Sequence, residues 1–342
     1  MHISLVIPTF NRERLLPRTI PALLAQRTEG FTYEIIFVIN GSTDSSEQIL
    51  ADAAERNPSR LRYFKLPPTG GPSAPRNRGI QEAKGEIVIV LDDDVLPDPE
   101  LLLGHARFHA RNPDLNFAAI GELYVPPECK DDPMSLFHDF PYQEFRDVER
   151  LEYFYFWTCN VSVKRAFMMQ HGMFDERFLG YEDMICGYKL RQAGMELRFV
   201  PEARGQHLHQ LRADGVAAKG IWYGRWLCAL IDHLPQPELM ARFGILSPQI
   251  GWLLLAKRLI KRLGFHLINN PLTRAALVLA GATAGRRTKL SDLYYYLIFR
   301  GHLLKGYSQA SEDARTLGKN ALLHFPGSHA GQGDMINPSG PS

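Results

Sequence analysis

The first third of the chain alternates short apolar runs with amphipathic segments. Residues 3–7 form an apolar run ended by Pro8, which predicts a buried strand. Residues 12–26 place Leu15, Ile20, Leu23 and Leu24 at helical spacing. A second buried strand is predicted over 33–39, then the turn Asn40-Gly41-Ser42 and a helix over 45–56. Residues 61–66 and 86–91 read as third and fourth strands, with a helix over 73–84 between them. Continuously apolar strands alternating with helices predict an α/β fold whose mostly parallel sheet is covered on both faces. In such sheets ligands sit at the carboxyl ends of the strands. That singles out Thr9, Asn11, residues 40–44 and residues 92–94.

The middle is less regular. A helix is predicted over 99–111 and a strand over 117–124. Residues 126–150, rich in proline and acids, read as a loop with short helices. The aromatic stretch 153–163 reads as a strand, 164–171 and 182–193 as helices, and 196–200 as a strand bounded by Gly194 and Pro201. From residue 212 onward the pattern predicts helices alone, ending in a Gly/Ser/Pro-rich disordered tail over 327–342.

Composition narrows the class. The 342 residues are 45% hydrophobic and 22% charged, an ordinary globular balance that excludes collagen-like and disordered chains. The formal net charge of +2 gives no reason to expect a nucleic-acid partner. That small total hides a split. Between residues 241 and 306 eleven basic residues face the single acid Asp292, so the remainder is net acidic. Within this stretch 252–263 reads WLLLAKRLIKRL, a basic amphipathic helix with Lys257, Arg258, Lys261 and Arg262 on one face. Its apolar face either packs on the rest of the chain or meets an anionic membrane surface, where each nearby basic residue adds on the order of 1 kcal/mol. An acidic protein partner is a third option. The four cysteines are scattered, which fits reduced thiols in a cytoplasmic protein. The opening residues run straight into a strand and suggest no signal peptide. The apolar runs 243–256 and 275–285 fall short of the ~20 residues a membrane span needs. The expected location is the cytoplasm, with peripheral attachment to the inner face of the membrane as one option.

Candidate chemistry gathers at a few points. Asp92-Asp93-Asp94 follows the fourth strand directly. Three adjacent carboxylates repel one another, and a divalent cation such as Mg²⁺ or Mn²⁺ would offset that. The competing reading is an acidic cap before the next helix. Neither GxxxxGK[ST] nor GxGxxG is present. Gly70-Gly71-Pro72 and Gly79 bracket Arg76, Asn77 and Arg78, either a shaped basic loop near the acids or solvated arginines. His207 and His209 are spaced to share one face of a strand, as structural histidines or as ligands. Trp157 lies in an aromatic patch that reads either as core or as a surface for stacking an acceptor sugar.

Ordered motifs over residues 3–209 resemble glycosyltransferase family 2. They are Val6-Ile7-Pro8-Thr9-Phe10-Asn11-Arg12, Asn40-Gly41-Ser42-Thr43-Asp44, Ala74-Pro75-Arg76-Asn77-Arg78-Gly79-Ile80, Leu91-Asp92-Asp93-Asp94, Cys159-Asn160, Gly172-Met173-Phe174-Asp175-Glu176 and Glu182-Asp183 with His207. The resemblance implies a GT-A fold, with residues 1–96 as the nucleotide-sugar half and 97–210 as the acceptor half. Residues 211–326 would be a basic helical extension. It further implies a nucleotide-sugar donor, with Pro8, Thr9 and Phe10 lining the base pocket and Asn40 bonding the base. Arg76 would lie near the base or diphosphate, and Asp92 and Asp93 would hold the ribose and sugar. Asp94 would bind Mg²⁺ or Mn²⁺, with His207 as a further metal or diphosphate contact. Asp183 would be the general base, and Trp157 and Glu182 would face the acceptor, a glycan or a lipid-linked sugar.

The implied chemistry is direct displacement with inversion, since one base facing a diphosphate leaving group suffices. Asp183 has a plainer reading, because acids in a first helical turn gain about 0.3–1 kcal/mol from the dipole. Ile39 stands where many members carry an acid, which leaves the donor base open. Trp222-Tyr223-Gly224-Arg225-Trp226 echoes the QxxRW motif of processive members, but with Trp222 in place of the glutamine. A retaining or nucleotidyl-type transferase on the same fold and a non-catalytic nucleotide-sugar-binding scaffold remain as rival readings.

Overall fold

The computed structural model describes residues 1–208, 215–245 and 286–324, which divide into two units. The first contains β1 (His2–Thr9), α1 (Leu16–Leu24), β2 (Thr32–Asn40), α2 (Ser46–Arg56), β3 (Leu61–Leu66), α3 (Ser73–Glu82), β4 (Ile87–Leu91) and β5 (Val95–Pro97). It continues with α4 (Leu101–Arg111), β6 (Phe117–Tyr124), β7 (Asn160–Lys164), α5 (Arg165–His171), α6 (Glu182–Gln192) and β8 (Glu196–His207). The strands form one eight-stranded sheet in the order β3-β2-β1-β4-β7-β6-β8-β5. β1 pairs parallel with β2 and β4, β2 with β3, and β6 with β8. β7 runs antiparallel between β4 and β6, and β5 runs antiparallel to β8.

The apolar runs explain the parallel half. Leu5, Val6, Ile35, Ile36, Phe37, Val38, Val88, Ile89 and Val90 are fully buried, as strands covered by helices on both faces must be. The antiparallel β7 then joins this half to β6 and β8.

Several boundaries differ from the sequence expectation. β1 continues through Pro8 to Thr9: its ladder with β4 ends at Val6↔Val90, so the proline lies where β2 alone remains as neighbour. α1 begins at Leu16 rather than residue 12, because Asn11, Arg12 and Glu13 bond to residues 42–46 instead. The expected strand over 153–163 is a short 3₁₀ turn, Tyr153–Tyr155, followed by β7 from Asn160. The rings of Tyr155 and Trp157 pack on other rings rather than along a ladder. β8 does not stop at Pro201 but runs to His207, since residues 201–204 lie outside its ladder with β6 and need no backbone donor there. β5 was not expected.

The second unit, among the described residues, comprises residues 127–137 with α7 (Gly215–His233), α8 (Pro237–Phe243) and α9 (Lys289–Leu317). Thr288 and Ser291 form a capping box at the start of α9. α7 and α9 pack backbone to backbone through glycines. A Cβ on Gly224 would lie 2.0 Å from the Leu303 carbonyl oxygen, and one on Gly306 2.1 Å from that of Ile221. Met134 and Val216 form a small core there with Phe137, Tyr295, Ile298 and Phe299. Trp226 is fully buried, and Arg225 pairs with Asp313 at 2.5 Å. The basic segment 252–263, His209 and the tail 327–342 lie outside the described residues. Among the described residues no helix is long and apolar enough to cross a membrane. All four cysteines are free thiols.

Candidate active site

The carboxyl ends of β1 and β4 lie side by side, and the chain leaves each into a polar loop. After β1, Asn11 adopts a left-handed φ of 50°, which asparagine tolerates better than most residues. The turn is laced to the loop after β2. Asn11 N donates to Ser42 Oγ (3.0 Å), Thr43 N to Asn11 Oδ1 (2.8 Å), Arg12 N to Ser46 Oγ (2.7 Å) and Glu13 N to Asp44 Oδ2 (3.0 Å). Fixed in this way, Arg12 reaches the acids that follow β4. Its Nε donates to Asp93 Oδ1 at 2.8 Å, and its Nη2 lies 3.7 Å from Asp94 Oδ2. Phe10 N donates to the other Asp93 oxygen at 3.3 Å.

Asp93 and Asp94 are buried and Asp92 half-buried. Burial pushes the Asp93 carboxyl up to about 6; Arg12 pulls it back down, and Asp94 adds to the rise. Burial works against the Arg12 cation too, but Asp93 and Asp94 outweigh it and hold the guanidinium above its ordinary value. Arg12 was absent from the expected site residues, although its place just past a strand end was the available signal.

Asp94 meets His207 across the pairing of β5 with β8. Val95 is in register with His207, and Leu208 N donates to the Asp94 carbonyl oxygen at 2.7 Å. His207 Nε2 lies 3.4 Å from Asp94 Oδ1. One ligand atom from each of Asp92, Asp94 and His207 falls within 4.8 Å of the others. Two carboxylates and an imidazole nitrogen at this spacing fit a divalent cation with open positions for phosphate oxygens. The Phe140 ring stacks nearly parallel to His207, with centroids 6.2 Å apart. Phe140 comes from the proline-rich loop, where no periodic pattern marked it.

Arg76, on α3, joins this cluster to α6. It is 4% exposed, with Nη1 2.6 Å from Glu182 Oε1, Nη2 3.1 Å from Asp92 Oδ1, and its guanidinium over the Phe174 ring. Tyr181, at a left-handed φ of 59°, turns the chain into α6. Asp183 follows in the first turn, half-buried, its Oδ1 accepting from Met184 N at 2.7 Å. Burial and the neighbouring Glu182 push its carboxyl up to about 7 against the pull of Arg76. A carboxyl poised near neutrality suits a general base.

The remaining expected residues fall around this cluster. Pro8 and Thr9 end β1 and Phe10 follows it, with Thr9 buried and the other two half-buried. Asn40 ends β2, and its side chain holds the loop at 69–71. Its Oδ1 accepts from Thr69 N and Oγ1, and its Nδ2 donates to Gly71 O at 3.0 Å. Trp157 is half-buried among Phe140, Tyr142, Phe145 and Tyr155.

Comparison with known proteins bears on this geometry. Residues 4–172 match the model of the family described as glycosyl transferase family 2. The chain is similar to a validoxylamine A glucosyltransferase from Streptomyces hygroscopicus subsp. limoneus, 30% identical over 231 residues, or 59% of this chain and 51% of that protein. The chain thus spans about half the length of the curated relatives it matches. Among solved structures it resembles a mannosyltransferase from Pyrobaculum calidifontis in complex with GDP-Man and Mn²⁺ (TM-score 0.58, 17% identity, 91% of this chain and 87% of that one). It also resembles Staphylococcus aureus TarS 1–349 in complex with UDP-GlcNAc (TM-score 0.52, 18% identity, 92% of each). These likenesses establish the fold as that of GT-A glycosyltransferases.

Proposed function

We propose, from the premise that residues 4–172 form a member of glycosyl transferase family 2, that this protein transfers a sugar from a nucleoside-diphosphate sugar to an acceptor hydroxyl. The observation that carries the reading is the ion bridge through Arg76. It sets the carboxylate cluster at the strand ends beside the helix that bears a near-neutral Asp183.

Pro8, Thr9, Phe10 and Asn40 border the nucleotide. Asp92 and Asp93 lie toward the ribose and the sugar, and Arg12 and Arg76 offset the buried negative charge around them. Asp92, Asp94 and His207 would hold Mg²⁺ or Mn²⁺. Such a cation supplies Lewis-acid stabilisation to the diphosphate leaving group. Asp183 takes the proton of the acceptor hydroxyl, a contribution of about 10²–10⁴-fold. A single base acting opposite the departing diphosphate implies displacement with inversion. Trp157 and Glu182 face the acceptor, a glycan or a lipid-linked sugar. Attachment to an anionic membrane surface is supported by the exposed Leu290, Leu293 and Tyr296 on α9, near the exposed bases Arg286 and Lys289.

The test uses a panel of UDP- and GDP-sugars with Mn²⁺. Donor turnover is expected to vanish in Asp94→Ala. Asp183→Asn is expected to stop transfer while donor binding persists. Turnover that survives Asp94→Ala would overturn the metal assignment, and loss of donor binding in Asp183→Asn would overturn the base.

A further inference from the structure

β8 leaves the ladder with β6 at one place. Gly121 pairs with Val200, and the next pairing joins Leu123 to Gly205, so two steps on β6 match five on β8. The surplus is odd, and an odd slip reverses which side chains face inward. From Ala203 within it onward, Ala203, Gly205 and His207 are buried in alternation with Arg204 and Gln206. The length of this excursion therefore decides that His207, rather than a neighbour, faces Asp94.

Three neighbouring elements are shaped to the excursion at Ala203, which is fully buried. A Cβ on Gly104 of α4 would lie 2.6 Å from Ala203 N, and one on Gly121 of β6 2.1 Å from Ala203 O. From β7, Asn160 Nδ2 donates to that same carbonyl at 2.8 Å. The Asn160 amide is itself oriented by a buried chain. Its Oδ1 lies 3.0 Å from His105 Nε2, while Ser162 Oγ lies 2.8 Å from His105 Nδ1 and 2.9 Å from His109 Nε2. With neutral imidazoles, one direction of donation links all four side chains, leaving the His109 Nδ1 lone pair outside the chain. His109 donates to Ser162, Ser162 to His105 Nδ1, His105 Nε2–H to Asn160 Oδ1, and the Asn160 amide to Ala203.

We propose that Asn160, locked by His105, is a positioning residue for the cation site: by holding the Ala203 carbonyl it sets the excursion of β8 that delivers His207 to Asp94. The inference rests on the reading of Asp92, Asp94 and His207 as cation ligands. Groups that orient ligands from behind change metal affinity by about 10–100-fold when removed.

Mn²⁺ binding to the full chain, titrated by EPR with the metal alone, tests it. Asn160→Ala is expected to weaken Mn²⁺ about tenfold, and His105→Leu by a similar factor. His105→Gln, which keeps an N–H to offer Asn160, is expected to restore affinity. In a His207→Ala background, Asn160→Ala is expected to add no further loss. Thermal melts report which variants fold, and if Asn160→Ala does not, the His105→Leu and His105→Gln pair decides. A purely structural role would lower the melting temperature of folded variants and leave Mn²⁺ affinity at the wild-type value, which would overturn the proposal. If His207→Ala itself leaves Mn²⁺ binding unchanged, the cation reading falls and this inference with it.

Discussion

At the scale of single residues, the acids were legible because a DDD run directly after a strand has few ordinary uses. Their partners were legible only in part. Arg76 read either as charge near the acids or as a solvated arginine, and Arg12 carried no assigned role; the lacing of residues 11–13 to 42–46 and the burial of α3 bring them onto Asp93 and Asp92. Asn40 was expected to face a nucleobase; its side chain also tethers Thr69 and Gly71, bonds between loops that no local pattern encodes. Asp183 gives a prediction at this scale. In its proposed role as base Asp183 must be ionised, and burial beside Glu182 raises this carboxyl from its ordinary value to about 7. Activity should therefore fall as pH drops through about 7, rather than near the usual carboxylate range around 4. The kcat/KM profile of transfer between pH 5 and 9 checks this, and an acid limb near 4 would contradict it.

At the scale of elements, β3 and β6 match their expected bounds because apolar alternation and flanking breakers agree there. Pro8 and Pro201 misled for one reason. A proline stops a strand only where its backbone nitrogen would have to serve a neighbour, and at both positions a neighbouring ladder has ended or been interrupted. The buried histidines of α4 carry a consequence for stability. Burial lowers His105 to about 4 and His109 to about 3. Both folded values lie below the unfolded value, so the contribution is intact above about 6.5 and is lost as pH falls, because the unfolded chain binds protons first. Urea unfolding at pH 4 to 7 should show stability declining over this window, with a shallower decline in His109→Gln. A second prediction concerns α7 and α9. Alanine for glycine in a helix usually stabilises by up to about 1 kcal/mol. At Gly224 the added Cβ would meet the Leu303 carbonyl oxygen, so Gly224→Ala should instead destabilise by about 1–3 kcal/mol. Chemical denaturation reads the sign.

At the scale of the whole molecule, the near-neutral total charge joins an acidic body to a basic stretch between residues 241 and 306. The motifs that resemble the family include the acids, and the proposed transfer from a diphosphate donor gives the carboxylates a role. The motifs leave the bases unexplained, and the proposed attachment to an anionic surface would give them a role. Co-flotation with vesicles containing anionic lipid is expected at low salt and should weaken as salt rises. Equal flotation with purely zwitterionic vesicles would argue against it. The strand order also bears on how the chain is made. β1 to β4 are supplied by the first 91 residues and pair among themselves, so they can assemble as they leave the ribosome. β5 pairs with β8 alone, and β7 must enter between β4 and β6. Such distant pairings wait on the closure of long loops. A nascent chain therefore displays its three aspartates long before His207 has been translated, and the cluster of Asp92, Asp94 and His207 is completed only as the last strand docks.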